Sequence, residues 1–155
     1  MDPQKELREH LIELLEGQSA HIDLESAIKD FPTDKINVRI EHSPHTAWEL
    51  LEHIRIAQWD ILEFSRHAKH RSPKWPDGYW PKKECTKKEW KSSVKQILTD
   101  LKTMRSLVKD KKTDLYAPFP WGDGQTLLRE ALLIADHDAY HLGQLVLLKR
   151  MLEDN

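Results

Sequence analysis

Residues 126–152 read TLLREALLIADHDAYHLGQLVLLKRML. Leu133, Ile134, His137, His141, Leu145 and Leu148 recur at helical spacing, on or near one face of a single long helix. That face is apolar except for its two imidazoles, so both should point inward. The same period appears three more times upstream. Leu7, Leu11, Leu14 and Leu15 form a stripe after Asp2-Pro3, a cap residue followed by a favoured first-turn proline, and Gly17 supplies a stop. Ser43-Pro44 is expected to open a second long helix through Trp48, Leu51, Ile54, Gln58 or Trp59 and Leu62, ending near His67. Thr86-Lys-Lys-Glu89 is a capping box that opens a third through Trp90, Val94, Ile97, Leu101, Met104 and Val108.

Between these segments lie a short helix opening at Asp23 and ending near Pro32, then a connection over residues 33–42. SPKWPDGYWP, residues 72–81, carries three prolines and an Asp-Gly turn signal and is neither helix nor strand. The expectation is an all-α chain, residues 1–155 forming one four-helix bundle domain. Roughly 20 residues join the second and third long helices, which allows a long crossover there.

Composition narrows the function classes. The charged fraction is 32% and the formal net charge −2, so no broad field calls for nucleic acid or an anionic membrane. The lysines of KKECTKKEWK and KDKKT read as solvated helix ends. Cys85 is the single cysteine, which excludes an intrachain disulfide and a cysteine-based zinc cluster. The charged start MDPQKELREH is unlike a signal peptide, no apolar run approaches the ~20 residues of a membrane span, and a cytoplasmic location is expected.

His53, in WELLEHIRIAQWDIL, shares an inward arc with Leu50, Ile56, Ala57 and Asp60. Taken singly, His53 reads better as a hydrogen-bonded core residue, and the His137–His141 pair reads equally well as core or as ligands. Three facing one another would cost about 1–3 kcal/mol per unsatisfied polar atom, and a metal removes that cost by taking one nitrogen from each. His53, His137 and His141 are therefore candidate ligands of a divalent metal, zinc or nickel, although imidazole also suits copper and iron. Such a site keeps an open position where water or a thiol becomes a nucleophile. Glu49, Asp60 and Gln144 are candidates to shuttle a proton, orient a substrate or hold a ligand histidine. Asp136 and Asp138 are expected to point into solvent, and Gly143 to admit a neighbouring helix. His42, His45, His67 and His70 flank helix ends, and His10 could reach the core. Trp75, Tyr79 and Trp80 either roof the pocket or cap one end of the bundle. No histidine has a glutamate three residues before it, which excludes the di-iron bundle pattern. His137-Asp138-Ala139-Tyr140-His141 is near the zincin pattern, but no usual third ligand follows.

HSPHTAWELLEHIRIAQWDILEFSR, SPKWPDGYWP, DLYAPFPWGDGQTLLREALL and ADHDAYHLGQL together resemble the DinB-like superfamily over nearly the whole chain. The resemblance implies a four-helix bundle holding a divalent metal through one histidine of the second helix and two of the last. The matching positions are His53, His137 and His141. It further implies a homodimer, and a metal-dependent enzyme of thiol-transferase or hydrolase type acting on a small thiol or electrophile. The alternative is a noncatalytic, metal-stabilised dimeric binding module.

Overall fold

The computed structural model describes residues 3–153 and contains five α-helices: α1 Pro3–Glu16, α2 Leu24–Ile28, α3 Ala47–Arg66, α4 Lys87–Lys109 and α5 Leu127–Glu153. A single 3-10 turn, Asp77–Tyr79, lies in the connection between α3 and α4. Among the described residues there is no strand, only an isolated bridge between Pro118 and Thr126. The chain is all-α, with a bundle-like core of four long helices.

Local chemistry sets the helix ends. Gly17 stops α1 at φ +70°, the left-handed region, and its N–H reaches the carbonyls of Glu13 and Leu14 at 3.1 and 3.2 Å. Asp23 caps α2 by accepting from the Ser26 amide at 2.8 Å, and α2 is shorter than expected, ending at Ile28. Thr86 and Glu89 form the capping box of α4 as the sequence predicts. The start of α3 is a correction. Thr46, not Ser43, is its cap: Thr46 and Glu49 exchange side-chain and backbone bonds in a second capping box. Ser43 spends its hydroxyl on the His45 carbonyl at 2.7 Å. Reciprocal bonds satisfy two orphan amides at once, which outweighs the proline signal. The Asp2 cap expected for α1 lies outside the described residues.

α3 packs on both α4 and α5, α1 packs on α4 and α5, and α2 leans on α5. Leu51, Ile54, Ile97, Met104, Leu127, Ile134 and Leu145 form the heart of one continuous apolar cluster. Arg8 of α1 fastens the far end of α4. Its guanidinium donates to the carbonyls of Val108, in the last turn of α4, and of Asp110 and Thr113 just beyond it, at 2.6, 3.2 and 2.5 Å; the Val108 carbonyl is one of the acceptors a helix C-terminus leaves unpaired. In the α1 stripe, Leu11 and Leu15 are buried while Leu14 stays about half exposed. His10 is also outside the core, 74% exposed beside Glu13.

The connection between α3 and α4 is tied down at four points. His70 and Tyr79 both bond Asp60 of α3, the Lys83 carbonyl accepts from the Trp48 indole at 2.9 Å, and Cys85 exchanges backbone bonds with the Asn37 side chain. It lies as a strap across one end of the site. Residues 118–126 close the other end of α3, where Trp121 donates to the Phe64 carbonyl at 2.8 Å and stacks on Phe119.

Candidate metal centre

α3 presents His53 one turn below Glu49, and α5 presents His137 and His141 one turn apart. Because α3 and α5 pack directly on each other, the three rings meet between them. One ligand nitrogen from each ring lies within 4.8 Å of the others. The Nε2 atoms of His53 and His137 are 3.0 Å apart. Two nitrogens each about 2.0–2.1 Å from a single ion would stand about 2.9–3.4 Å apart at angles of about 90–110°. The observed spacing lies in that range.

The outer nitrogens decide whether the rings fit a metal. His53 Nδ1 donates to the Tyr79 carbonyl at 2.9 Å, and His141 Nδ1 donates to the Gln144 side-chain oxygen at 2.7 Å. In a neutral imidazole, a proton on Nδ1 leaves a lone pair on Nε2. Both rings are therefore held in the tautomer a ligand needs, by the carbonyl acceptors that commonly stand behind metal-binding histidines. His137 is different. Its Nδ1 is buried with no hydrogen-bond partner, and so are both Asp138 carboxyl oxygens, the nearer of which is 3.7 Å away. Without an ion, His137 Nε2–H must donate to His53, which leaves Nδ1 bare. Placing the proton on Nδ1 instead frees Nε2 as a third ligand and turns an N–H toward Asp138. These orphaned polar atoms are what the residues leave over without an ion, and the cluster fits one.

Charge states agree with this geometry. Burial lowers the His53 pKa, opposed by the bond to the Tyr79 carbonyl and reinforced by the neighbouring His137 and His45. Burial lowers His141 further, to about 4, against the Gln144 bond and with help from the other imidazoles. Both are neutral lone-pair donors at pH 7. Burial raises the Asp138 pKa, with His137 acting in the opposite direction.

The placement of Asp138 corrects the expectation of a solvated residue. α5 is flanked by α3 on its histidine face and by α1 and α2 on the next, so the position after His137 is also covered. A cavity of about 40 Å³ beside Asp138 is walled by Leu15, Gly17, Leu24, Leu101 and Leu142. Asp136 does face solvent. Gly143 is a second correction: a Cβ there would meet nothing within 4 Å, so no helix approaches it.

The remaining candidates are placed as follows. Glu49 does not reach His53; it accepts from Thr46 and from Arg39 at 2.8 and 2.9 Å, with His45 Nδ1 3.8 Å away. Asp60 is buried between the Tyr79 hydroxyl and His70. Gln144 is the acceptor behind His141. Trp75 is 70% exposed and meets Tyr79 in an edge-type contact at 5.4 Å, whereas Trp80 lies flat on His53 at 4.0 Å and 3°. Trp80 also stacks on His45, at 4.1 Å. His45 and His70 flank the two ends of α3 as expected, and each also meets a partner beyond its own turn, Trp80 and Asp60 respectively. Cys85 is buried, and burial pushes its thiol up to about 11, which makes it an inert packing residue. A cavity of about 320 Å³, which none of the three converging histidines lines, opens next to Gln144 and is walled further by Ser43, Pro44, His45, Leu50, Leu147 and Met151.

An all-α bundle with three converging histidines defines a helical protein able to hold a metal ion. A family model described as the DinB superfamily matches residues 18–145, and the chain belongs to that superfamily. No curated protein and no solved structure matches the chain. Among the described residues no helix is long and apolar enough to cross a membrane.

Proposed function

We propose that the chain is a single-domain metal-dependent enzyme of thiol-transferase or hydrolase type, with His53, His137 and His141 as ligands of zinc or nickel. The observation that carries this reading is the tautomer control: two of three converging imidazoles have their outer nitrogens held by carbonyl oxygens, which directs lone pairs at a common point. A bound divalent ion supplies Lewis acidity that makes water or a thiol nucleophilic near neutral pH. Three neutral ligands leave the charge of that ion undiminished.

The chain's own residues then divide the remaining work. The cavity next to Gln144 has room for on the order of ten non-hydrogen atoms, judged against the ~30 Å³ share of a water molecule. Its far wall is apolar at Leu147 and Met151. Gln144 spends its oxygen on His141, so its amide N–H groups are what it can offer a substrate acceptor. Burial lowers the His45 pKa, and this imidazole on the cavity wall is a neutral base able to accept a proton. Glu49 and Asp60 are committed to other bonds and serve structure. We read the strap as a crossover, since the contacts Glu52–Ser93 and Gln58–Ile97 advance in the same sense along α3 and α4. In that path it covers the site with Trp80 and limits access of water.

The test is turnover. Metal-loaded protein incubated with a bacillithiol-type thiol and small electrophiles, or with small esters, should turn over, and His53→Ala should abolish it. A second reading, a noncatalytic metal-stabilised homodimer in the cytoplasm, is favoured by one observation. Tyr140 and Leu147 of α5 are 66% and 59% exposed on either side of the open Gly143. Inertness toward every thiol and ester, with metal removal lowering only the melting temperature, would favour that second reading.

A further inference from the structure

Asp60 sits on α3, two helical turns beyond His53, and is 7% exposed. Its hydrogen bonds go to none of the three converging imidazoles. Both of its oxygens hold the strap instead. Oδ2 accepts the Tyr79 hydroxyl at 2.6 Å, and Oδ1 lies 2.7 Å from His70 Nε2. One buried carboxylate therefore grips the strap at two residues nine apart in sequence. Tyr79 is the shared element. Its hydroxyl is held by Asp60, while its backbone carbonyl, 2.9 Å from His53 Nδ1, holds the ring proton. The next residue, Trp80, is stacked on His53.

We propose that Asp60 is a positioning residue that fixes the tautomer and orientation of His53, acting through Tyr79. The carbonyl that selects the Nδ1–H form belongs to the last residue of the single 3-10 turn Asp77–Tyr79, which is too short to hold its own position across the site. Left free, such a segment gains backbone conformational entropy that competes with one hydrogen bond. The paired grip at His70 and Tyr79 removes most of that freedom before His53 is reached. Releasing it lets His53 carry its proton on Nε2, the atom that faces His137, and a protonated nitrogen is not a ligand. The sequence places Asp60 on the His53 face but does not show this route, because Tyr79 arrives from a separate segment.

The consequence for metal affinity rests on the three-histidine reading above; the consequence for the tautomer does not. Chelator-stripped protein labelled with ¹⁵N-histidine is compared as wild type, Tyr79→Phe and Asp60→Asn, by long-range proton–nitrogen correlation. Wild type should show His53 as one Nδ1–H species, and both variants should show Nε2–H or an exchanging mixture. Zinc affinity, read by competition with a chromophoric chelator, should fall about 10- to 100-fold in both variants. Ser93→Ala, which removes a 2.7 Å bond to Glu52 elsewhere on α3, should leave tautomer and affinity unchanged whatever it does to the melting temperature. An unchanged His53 tautomer in folded Tyr79→Phe overturns the proposal, even if that variant melts lower. A tautomer shift in a protein whose wild type takes up no zinc upholds the positioning role and removes the metal reading. Tyr79→Phe keeps the ring and backbone, so it carries the test if Asp60→Asn does not fold.

Discussion

Lowering the pH of the metal-free protein should destabilise it through His141. This ring is 9% exposed, and its pKa drops from 6.5 to about 4 on folding. Above pH 6.5 the ring is neutral in both states and contributes nothing to a pH dependence. Between 6.5 and 4 the unfolded chain takes up a proton that the folded chain refuses, so stability falls as pH falls. Linkage between those two values at pH 5 comes to about 2 kcal/mol relative to pH 7.5, or about 1–2 kcal/mol after solvent screening. Urea denaturation at the two pH values, with chelator present, measures it. His141→Gln cannot titrate and should lose that share of the difference, leaving the contributions of the other groups in place. Equal pH differences in wild type and variant would refute the reasoning, because the imidazole would then titrate alike in both states.

Three further outcomes follow from the same contacts. Gln144→Leu removes the acceptor behind His141 and should weaken zinc binding about 10- to 100-fold, while Gln144→Glu, which keeps an acceptor, should recover most of it in a chelator competition. Arg8→Met keeps the apolar stem but removes the charged donor from the carbonyls of Val108, Asp110 and Thr113; urea melts should show a loss of about 2 kcal/mol. Thr46→Ala should lower stability by about 1 kcal/mol, whereas Ser43→Ala should change it by less than about 0.5 kcal/mol. The opposite ranking would place the start of α3 at the serine.

Much of the fold is legible in local sequence because the signals that set it are local. The period of residues 126–152 orients His137 and His141, and Thr86 with Glu89 marks the start of α4. The same logic was available at Thr46 and Glu49, but Ser43-Pro44 offered a competing cap three residues earlier, and only the reciprocal bonds decide between them. Asp138 was harder to read, since the face it occupies is covered by α1 and α2 rather than by the helix carrying His53. Periodicity identifies an inward face but not how many neighbours a long helix has. The partners of Asp60, His45 and His53 were out of reach for a different reason. They are carried by the connection between α3 and α4, whose path depends on contacts across the whole domain. The sequence thus supplies the three imidazoles, and the folded strap supplies what directs one of them, His53: the Tyr79 carbonyl and the Trp80 ring.

His53, His137 and His141 are proposed to hold one ion through Nε2 lone pairs. A crystal structure of the zinc-loaded protein, with anomalous scattering recorded at the zinc edge, should show one anomalous peak between α3 and α5, about 2.0–2.1 Å from a nitrogen of each of the three rings, with His137 Nδ1 turned to Asp138. A zinc-soaked crystal with no peak there, and His53 and His137 still hydrogen-bonded to each other as at 3.0 Å, would contradict it.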